Sequence, residues 1–166
     1  LAQADDAQFQ FGALYAENIQ GVGLYAGLED AAFTPYAAGY VDATLLVSES
    51  YDRNNPFFGG VSVGMRSYIP LAFAPYLGLG AYLGENEYEA RADKDGIDND
   101  KDGMVDERGE TRTDNNLMAA LYPEAGWQLK LGNSFSVRVL GRYMLSSFGR
   151  KQDDWFYGVS FAVHSE

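Results

Sequence analysis

Apolar and polar residues alternate along most of this chain, and the pattern is clearest between residues 117 and 163. Side chains along a β-strand point to opposite faces in turn, so a period of two assigns each set of residues to one surface. The pattern predicts three strands here, at about 117–130, 135–145 and 155–164. The apolar face of the first predicted strand consists of Leu117, Ala119, Leu121, Pro123, Ala125, Trp127 and Leu129.

The same alternation continues upstream through five further segments. It predicts strands at about 7–16, 21–28, 36–47, 57–69 and 75–87, separated by clusters of turn-forming residues. The connections after the second, fourth and sixth strands are short, whereas those after the third, fifth and seventh are longer. The sequence therefore predicts an all-β fold of eight antiparallel strands in up-and-down order.

The two faces of these strands have unusual polarity. One face is long, free of charge and aromatic at its ends, which is typical of strands that face lipid. The other face mixes charged residues with glycine and serine, and an eight-stranded barrel is just wide enough to be filled by such side chains. We predict an interior charge network of Asp42, Arg66, Glu124, Lys130, Arg138 and Arg142. Because an unpaired buried charge is costly, we expect Glu124 and Asp42 to pair with arginines.

Composition narrows the class of protein. A length of 166 residues fits one domain, which we place at 7–166. Because Ala2-x-Ala4 fits the small-residue rule for signal cleavage, we expect residues 1–6 to be the mature N-terminus or a signal-peptide remnant. No segment approaches the ~18 consecutive apolar residues of a membrane-spanning helix. The net charge of −12 argues against a nucleic-acid partner, and the absence of cysteine excludes a disulfide framework.

These strands resemble the small outer-membrane β-barrels of the OmpA and OmpX type. The segment Phe156-Tyr157-Gly158-Val159-Ser160-Phe161-Ala162-Val163 is similar to the carboxy-terminal assembly signal of that family, although this chain continues for three more residues. The resemblance implies a transmembrane barrel in the bacterial outer membrane, in contact with outer-membrane lipid and lipopolysaccharide. From the eight amphipathic strands and an acidic loop described next, we also expect contact with an extracellular protein or other surface partner, or a role in reinforcing the envelope.

An acidic segment within the predicted loop 88–116 carries the sharpest chemical motif. Carboxylates at every second position before a glycine turn can converge on calcium, which takes 6–8 oxygen ligands. The segment resembles thrombospondin type 3 repeats and the EF-hand loop, but Gly109 stands where an EF-hand has its bidentate glutamate. The alternative is a solvated acidic loop that binds no ion tightly. The predicted calcium ligands are Asp93, Asp95, Asp98, Asp100, Asp102, Met104 through its carbonyl, and Asp106.

The functional expectation is a non-enzymatic barrel with a structural or surface-interaction role and a calcium-binding extracellular loop. The single histidine, His164, has neighbours that do not face it in an extended segment, so we expect no catalytic site. Asp153 and Asp154 fit a solvated loop, or a loop that faces lipopolysaccharide beside Arg150 and Lys151. The alternatives are a narrow channel or hydrophobic-ligand conduit, a lipid-modifying enzyme of the outer membrane and a soluble lipocalin-like binder.

Overall fold

The chain folds into eight β-strands. The computed structural model describes residues 7–34, 36–48, 57–69, 71–92, 94–99, 101–105, 108–132, 134–147, 149–150 and 153–164. The strands are β1 Gln8–Ala16, β2 Gly21–Thr34, β3 Ala37–Ser48, β4 Phe57–Tyr68, β5 Phe73–Arg91, β6 Thr111–Lys130, β7 Phe135–Ser146 and β8 Asp154–His164. Among the described residues, no helix is long and apolar enough to cross a membrane.

Each strand pairs antiparallel with its neighbour in sequence, and the sheet closes on itself. The closing pair is β1 with β8, in a register that runs from Gln8 opposite His164 to Ala16 opposite Phe156. Closure pairs the backbone of both terminal strands, so neither is left as an open sheet edge. The predicted all-β, eight-stranded, up-and-down barrel is confirmed.

The alternation along the strands places apolar residues outside and charged residues inside. Leu24 and Leu79 on the outer face are each 70% exposed, whereas Arg66 and Arg138 on the inner face are each 1% exposed. This arrangement is the reverse of a water-soluble sheet protein, in which arginines lie outside and leucines inside. The predicted assignment of faces is therefore confirmed for these strands.

The connections divide the barrel into two ends. The connections after β2, β4 and β6 lie at one end, together with the first residue of β1 and the last residue of β8. We call this the turn end. The connections after β1, β3, β5 and β7 lie at the other, which we call the loop end. The longest of these connections, 92–110, joins β5 to β6.

The hairpin of β5 and β6 is longer than the sequence predicted. Its pairing extends to Arg91 opposite Thr111, whereas β4 pairs with β5 only as far as Asn86. The loop predicted at 88–116 is therefore confined to 92–110. Residues 111–116, at the start of β6, are all polar, and a strand segment without an apolar face has no alternation by which sequence could detect it.

Candidate functional site

Six buried charged side chains form one chain across the inside of the barrel. We call them the interior charge cluster. Each side chain forms an ion pair with the next, so positive and negative charges alternate in the order Arg138, Glu29, Arg66, Glu124, Arg142 and Asp42. Three arginines and three carboxylates make the cluster neutral when all are ionised. The six residues come from β2, β3, β4, β6 and β7, so the cluster connects strands that are not neighbours in the sheet.

The contacts within the cluster are short and charge-assisted. The Nε atom of Arg66 lies 2.6 Å from Oε1 of Glu124, and its Nη1 lies 2.5 Å from Oε2 of Glu29. The Nη2 atom of Arg142 lies 3.1 Å from Oδ2 of Asp42, and Arg142 also contacts Glu124. Buried charges are tolerated when they are paired in this way and hydrogen-bonded, because the pairing offsets the loss of hydration.

Neutral polar groups and rings complete the surroundings of the arginines. The side-chain oxygen of Gln10 accepts hydrogen bonds from both Arg66 and Arg138, at 3.1 and 2.8 Å. The hydroxyl of Tyr68 donates to Glu29 at 2.6 Å. The guanidinium carbon of Arg66 lies 3.8 Å from the ring centroid of Tyr40, a cation–π contact. These groups fill the space between the strands at this level of the lumen.

The structure brings together five of the six residues predicted for the interior network. Both predicted carboxylates are paired with arginines, Glu124 with Arg66 and Arg142, and Asp42 with Arg142. The placement of Lys130 was wrong, because this residue ends β6 and its side chain is exposed. Lys130 is the last residue of β6, so its side chain lies at the mouth of the barrel and reaches solvent instead of the lumen.

Sequence reasoning missed Glu29, which joins Arg138 to Arg66 in the cluster. The prediction ends the second strand at Leu28 and leaves Glu29 in a turn, whereas β2 continues to Thr34 with an irregularity after Asp30. Glu29 is 2% exposed and contacts both Arg66 and Arg138. Glu29 follows Tyr25 and Gly27 at intervals of two residues, so the alternation already places it on the inner face. This pattern could have identified it from the sequence.

An apolar layer fills the lumen between the charge cluster and the loop end. The ring of Phe58 stacks on Tyr82 at 4.5 Å between centroids and lies 5.4 Å from Phe156. Beneath this layer, the hydroxyls of Tyr40 and Tyr122 are 2.8 Å apart, and the ring of Tyr40 contacts Arg66. We call this layer the apolar plug, and it consists of Ala16, Leu46, Phe58, Tyr82, Met118, Ala120, Met144 and Phe156.

Two carboxylates at the rim of the loop end are buried. Asp153 and Asp154 are 8% and 2% exposed, so the interpretation of this pair as a solvated loop was wrong. Asp153 accepts a hydrogen bond from the backbone N–H of Ser146, and Asp154 accepts from the backbone of Asn18 and Ile19. Asp153 therefore satisfies a donor at the end of β7, and Asp154 satisfies two donors in the turn between β1 and β2, more than 130 residues away in sequence.

Carboxylates order the described part of the acidic loop. Asp98 accepts hydrogen bonds from the backbone N–H groups of Lys101, Asp102 and Gly103, the last at 2.9 Å. Asp95 accepts from the N–H of Ile97, and Asp102 from that of Met104, which is 55% exposed. Two glycines of this loop, Gly96 and Gly103, have φ values of +76° and +100°. These bonds fold the segment into consecutive tight turns.

The predicted calcium ligands are covered only in part. Asp93, Asp100 and Asp106 lie outside the described residues. Within the described part of the chain, no three acidic, histidine or cysteine side chains are grouped as a metal site would require. The calcium site stays a prediction.

Comparison with known proteins finds solved structures that share this fold. No protein-family model and no curated protein sequence matches the chain. Neisserial surface protein A is similar in structure, with a TM-score of 0.66 at 11% identity, covering 97% of each chain. The N-terminal β-barrel domain of Pseudomonas aeruginosa OprF matches with a TM-score of 0.59 at 9% identity, covering 98% of this chain and all of the other. The outer membrane protein Ail of Yersinia pestis, in a phospholipid bilayer nanodisc, matches with a TM-score of 0.52 at 16% identity over 95% of this chain and 99% of Ail. At these identities the likeness establishes the fold.

Proposed function

We propose that the protein is a non-enzymatic transmembrane barrel of the bacterial outer membrane. The observation that carries this proposal is the inverted polarity of the barrel. Leu24, Leu77 and Leu79 are 69–70% exposed on the outer face, while the interior charge cluster is buried. In water such an outer surface would be an aggregation hazard, but against acyl chains it is favourable. The fold shared with the outer membrane protein Ail supports the same location.

The two ends of the barrel suggest its orientation. Outer-membrane barrels have short turns on the periplasmic side and longer loops on the extracellular side. The turn end would then be periplasmic and the loop end, with the acidic connection 92–110, extracellular. Lipopolysaccharide would surround the loop end, and this connection would be available to an extracellular protein or other surface partner.

A filled lumen favours a structural or surface-interaction role over transport. The interior charge cluster and the apolar plug occupy successive levels of the barrel, and an eight-stranded barrel has no more room than its own side chains fill. A channel or a conduit for hydrophobic ligands would need a continuous path between the two ends. The measurement that separates these functions is single-channel recording in planar bilayers, in which we expect no conductance.

The acidic loop is proposed to bind calcium at the cell surface. The spacing of Asp98 and Asp102 before Gly103 supports this proposal, as do the left-handed backbone of Gly96 and Gly103 and the tight turns around Asp98. Calcium would offset the repulsion among the loop carboxylates. Affinity is expected at about 10⁻⁴–10⁻³ M, the range of extracellular modules. The affinity for calcium can be measured by the loss of terbium luminescence as calcium displaces bound terbium.

The membrane location is tested by the behaviour of the purified protein. We expect it to require detergent or lipid to stay dispersed and to migrate faster on a gel before heating than after, because a folded barrel is compact. A monomer that stays folded in buffer without detergent would contradict the outer-membrane proposal. That result would reopen the lipocalin-like alternative.

A further inference from the structure

The short connection between β1 and β2 is tied firmly to the start of β8. The backbone N–H of Glu17 donates to the carbonyl of Trp155 at 2.9 Å, and the side-chain amide of Asn18 donates to the carbonyl of Asp153 at 2.6 Å. The hydroxyl of Tyr157 donates to the carboxylate of Glu17 at 3.1 Å. These contacts join two segments more than 130 residues apart in sequence. The connection therefore does not stand free above the barrel.

One buried carboxylate holds the centre of this connection. Asp154 is 2% exposed and accepts hydrogen bonds from the backbone N–H of Asn18 at 2.7 Å and of Ile19 at 3.2 Å. Asp153, beside it, accepts from the backbone N–H of Ser146 on β7. Bonds from backbone donors to a carboxylate are charge-assisted and stronger than neutral ones. Asp154 thus attaches two successive backbone N–H groups of this turn to β8.

The turn places an apolar side chain on the plug. Ile19 is partly buried and packs against the apolar plug from the loop end of the lumen. The next residue, Gln20, has a φ of +50°, a left-handed conformation that is unfavourable for a residue other than glycine. Backbone in such a conformation persists only where surrounding contacts hold it. The contacts of Ile19 with the plug and of Asp154 with the turn add to the bonds of Glu17 and Asn18 described above.

We propose that residues 17–20 are a lid on the apolar plug and that Asp154 is the latch that keeps the lid closed. When Asp154 no longer accepts its two hydrogen bonds, the strained turn lifts and Ile19 leaves the plug. The upper lumen then becomes accessible from the loop end, while the interior charge cluster beneath it stays closed. Residues 17–20 would thus control access to the lumen at the loop end. This inference does not depend on whether the acidic loop binds calcium.

The test uses the absence of native cysteine to place a single reporter. Ala16 belongs to the plug and is 0% exposed, so an Ala16→Cys thiol reports access to the upper lumen. A charged methanethiosulfonate reagent is added to the folded protein in detergent. With Asp154 intact we expect slow labelling, and with Asp154→Ala we expect the rate to rise at least tenfold. Ile19→Ala should raise it as well. An unchanged labelling rate in Asp154→Ala would overturn the latch.

Two controls separate lid opening from general loosening. Asp30→Ala removes an exposed carboxylate near the opposite end of the barrel and should leave the rate at Ala16→Cys unchanged. A second reporter, Ala162→Cys, lies 2% exposed on the inner face near the turn end, and its rate should not respond to Asp154→Ala. A parallel rise at both reporters would refute the lid.

If Asp154→Ala does not fold, Asp154→Asn replaces it, and the hydrogen exchange rates of the Asn18 and Ile19 amides are measured instead. Unchanged exchange then rejects the proposal, and faster exchange confined to these amides supports it.

Discussion

Arg66 and Glu124 meet as a two-pronged pair across the lumen. Nε of Arg66 lies 2.6 Å from Oε1 of Glu124, and Nη2 lies 3.3 Å from Oε2. The two residues belong to β4 and β6, which share no ladder because β5 lies between them. The pair therefore fixes a separation between strands that backbone hydrogen bonds do not connect directly. Parallel contacts of this kind also add geometric specificity that a single bond would lack.

Replacing Glu124 tests how much the charge cluster stabilises the barrel. In Glu124→Gln, Arg66 and Arg142 lose the carboxylate between them and remain buried. Removing one partner of a buried ion pair destabilises a protein by about 3–5 kcal/mol. We expect a loss of that size in the free energy of unfolding, measured by urea titration in lipid vesicles. Lys130→Gln is the control, because Lys130 is exposed and should change stability by less than about 0.5 kcal/mol. Equal stabilities of the two variants would contradict the prediction.

Two glycines on neighbouring strands test whether the inner face of the barrel is more tightly packed than the outer face. A Cβ atom at Gly126 would lie 2.7 Å from the Tyr76 ring and closer still to the carbonyl of Val139. At Gly141 the nearest atom, on Tyr157, would be 3.9 Å away. Overpacking costs about 1–3 kcal/mol, so Gly126→Ala should lower the free energy of unfolding by that amount. Gly141→Ala should be close to neutral, and the reverse order would show that the inner face is not packed as described.

A charged residue on the outer face tests contact with lipid. The outward apolar residues of β5 run from Phe73 to Leu83, and Leu79, 70% exposed, is near their middle. Arginine at the bilayer midplane destabilises an outer-membrane barrel by about 2–4 kcal/mol, and near an interface by about 0–1 kcal/mol. Leu79→Arg should show the larger loss in vesicles, and Glu85→Arg, beyond the apolar band, the smaller. A Leu79→Arg variant as stable as Glu85→Arg would mean that this face does not meet lipid.

Neutralising Asp98 tests the calcium proposal. Because Asp98 shapes the turn that ends at Gly103 and is a predicted ligand, Asp98→Asn should weaken calcium binding about tenfold or more, as loss of one charged ligand lowers affinity in such loops. Terbium displacement by calcium supplies the measurement. The matched control, Asp30→Asn, removes the same charge outside the loop and should bind as the parent does. Absence of saturable binding in the parent at millimolar calcium would leave the solvated-loop alternative.

Much of the fold could be predicted because the alternation of residues carries it directly. The strands from Phe57 onward begin or end within a few residues of the prediction wherever an apolar face is present. Where both faces are polar, as at residues 111–116 of β6, the signal is absent, and the prediction leaves out this part of the strand. The site was harder, since Glu29 and Asp154 acquire their roles from partners distant in sequence.

The sequence by itself determined the period of two, and with it which side chains share a face and which face carries charge. It also determined that the interior would need both signs of charge, because arginines buried alone would be too costly. Tertiary structure decided the rest. Closure of the sheet and the register of its strands bring Glu29 of β2 within reach of Arg66 and Arg138, and leave Lys130 outside at a strand end. These outcomes depend on distances across the lumen, which exist only once all eight strands have closed into one barrel.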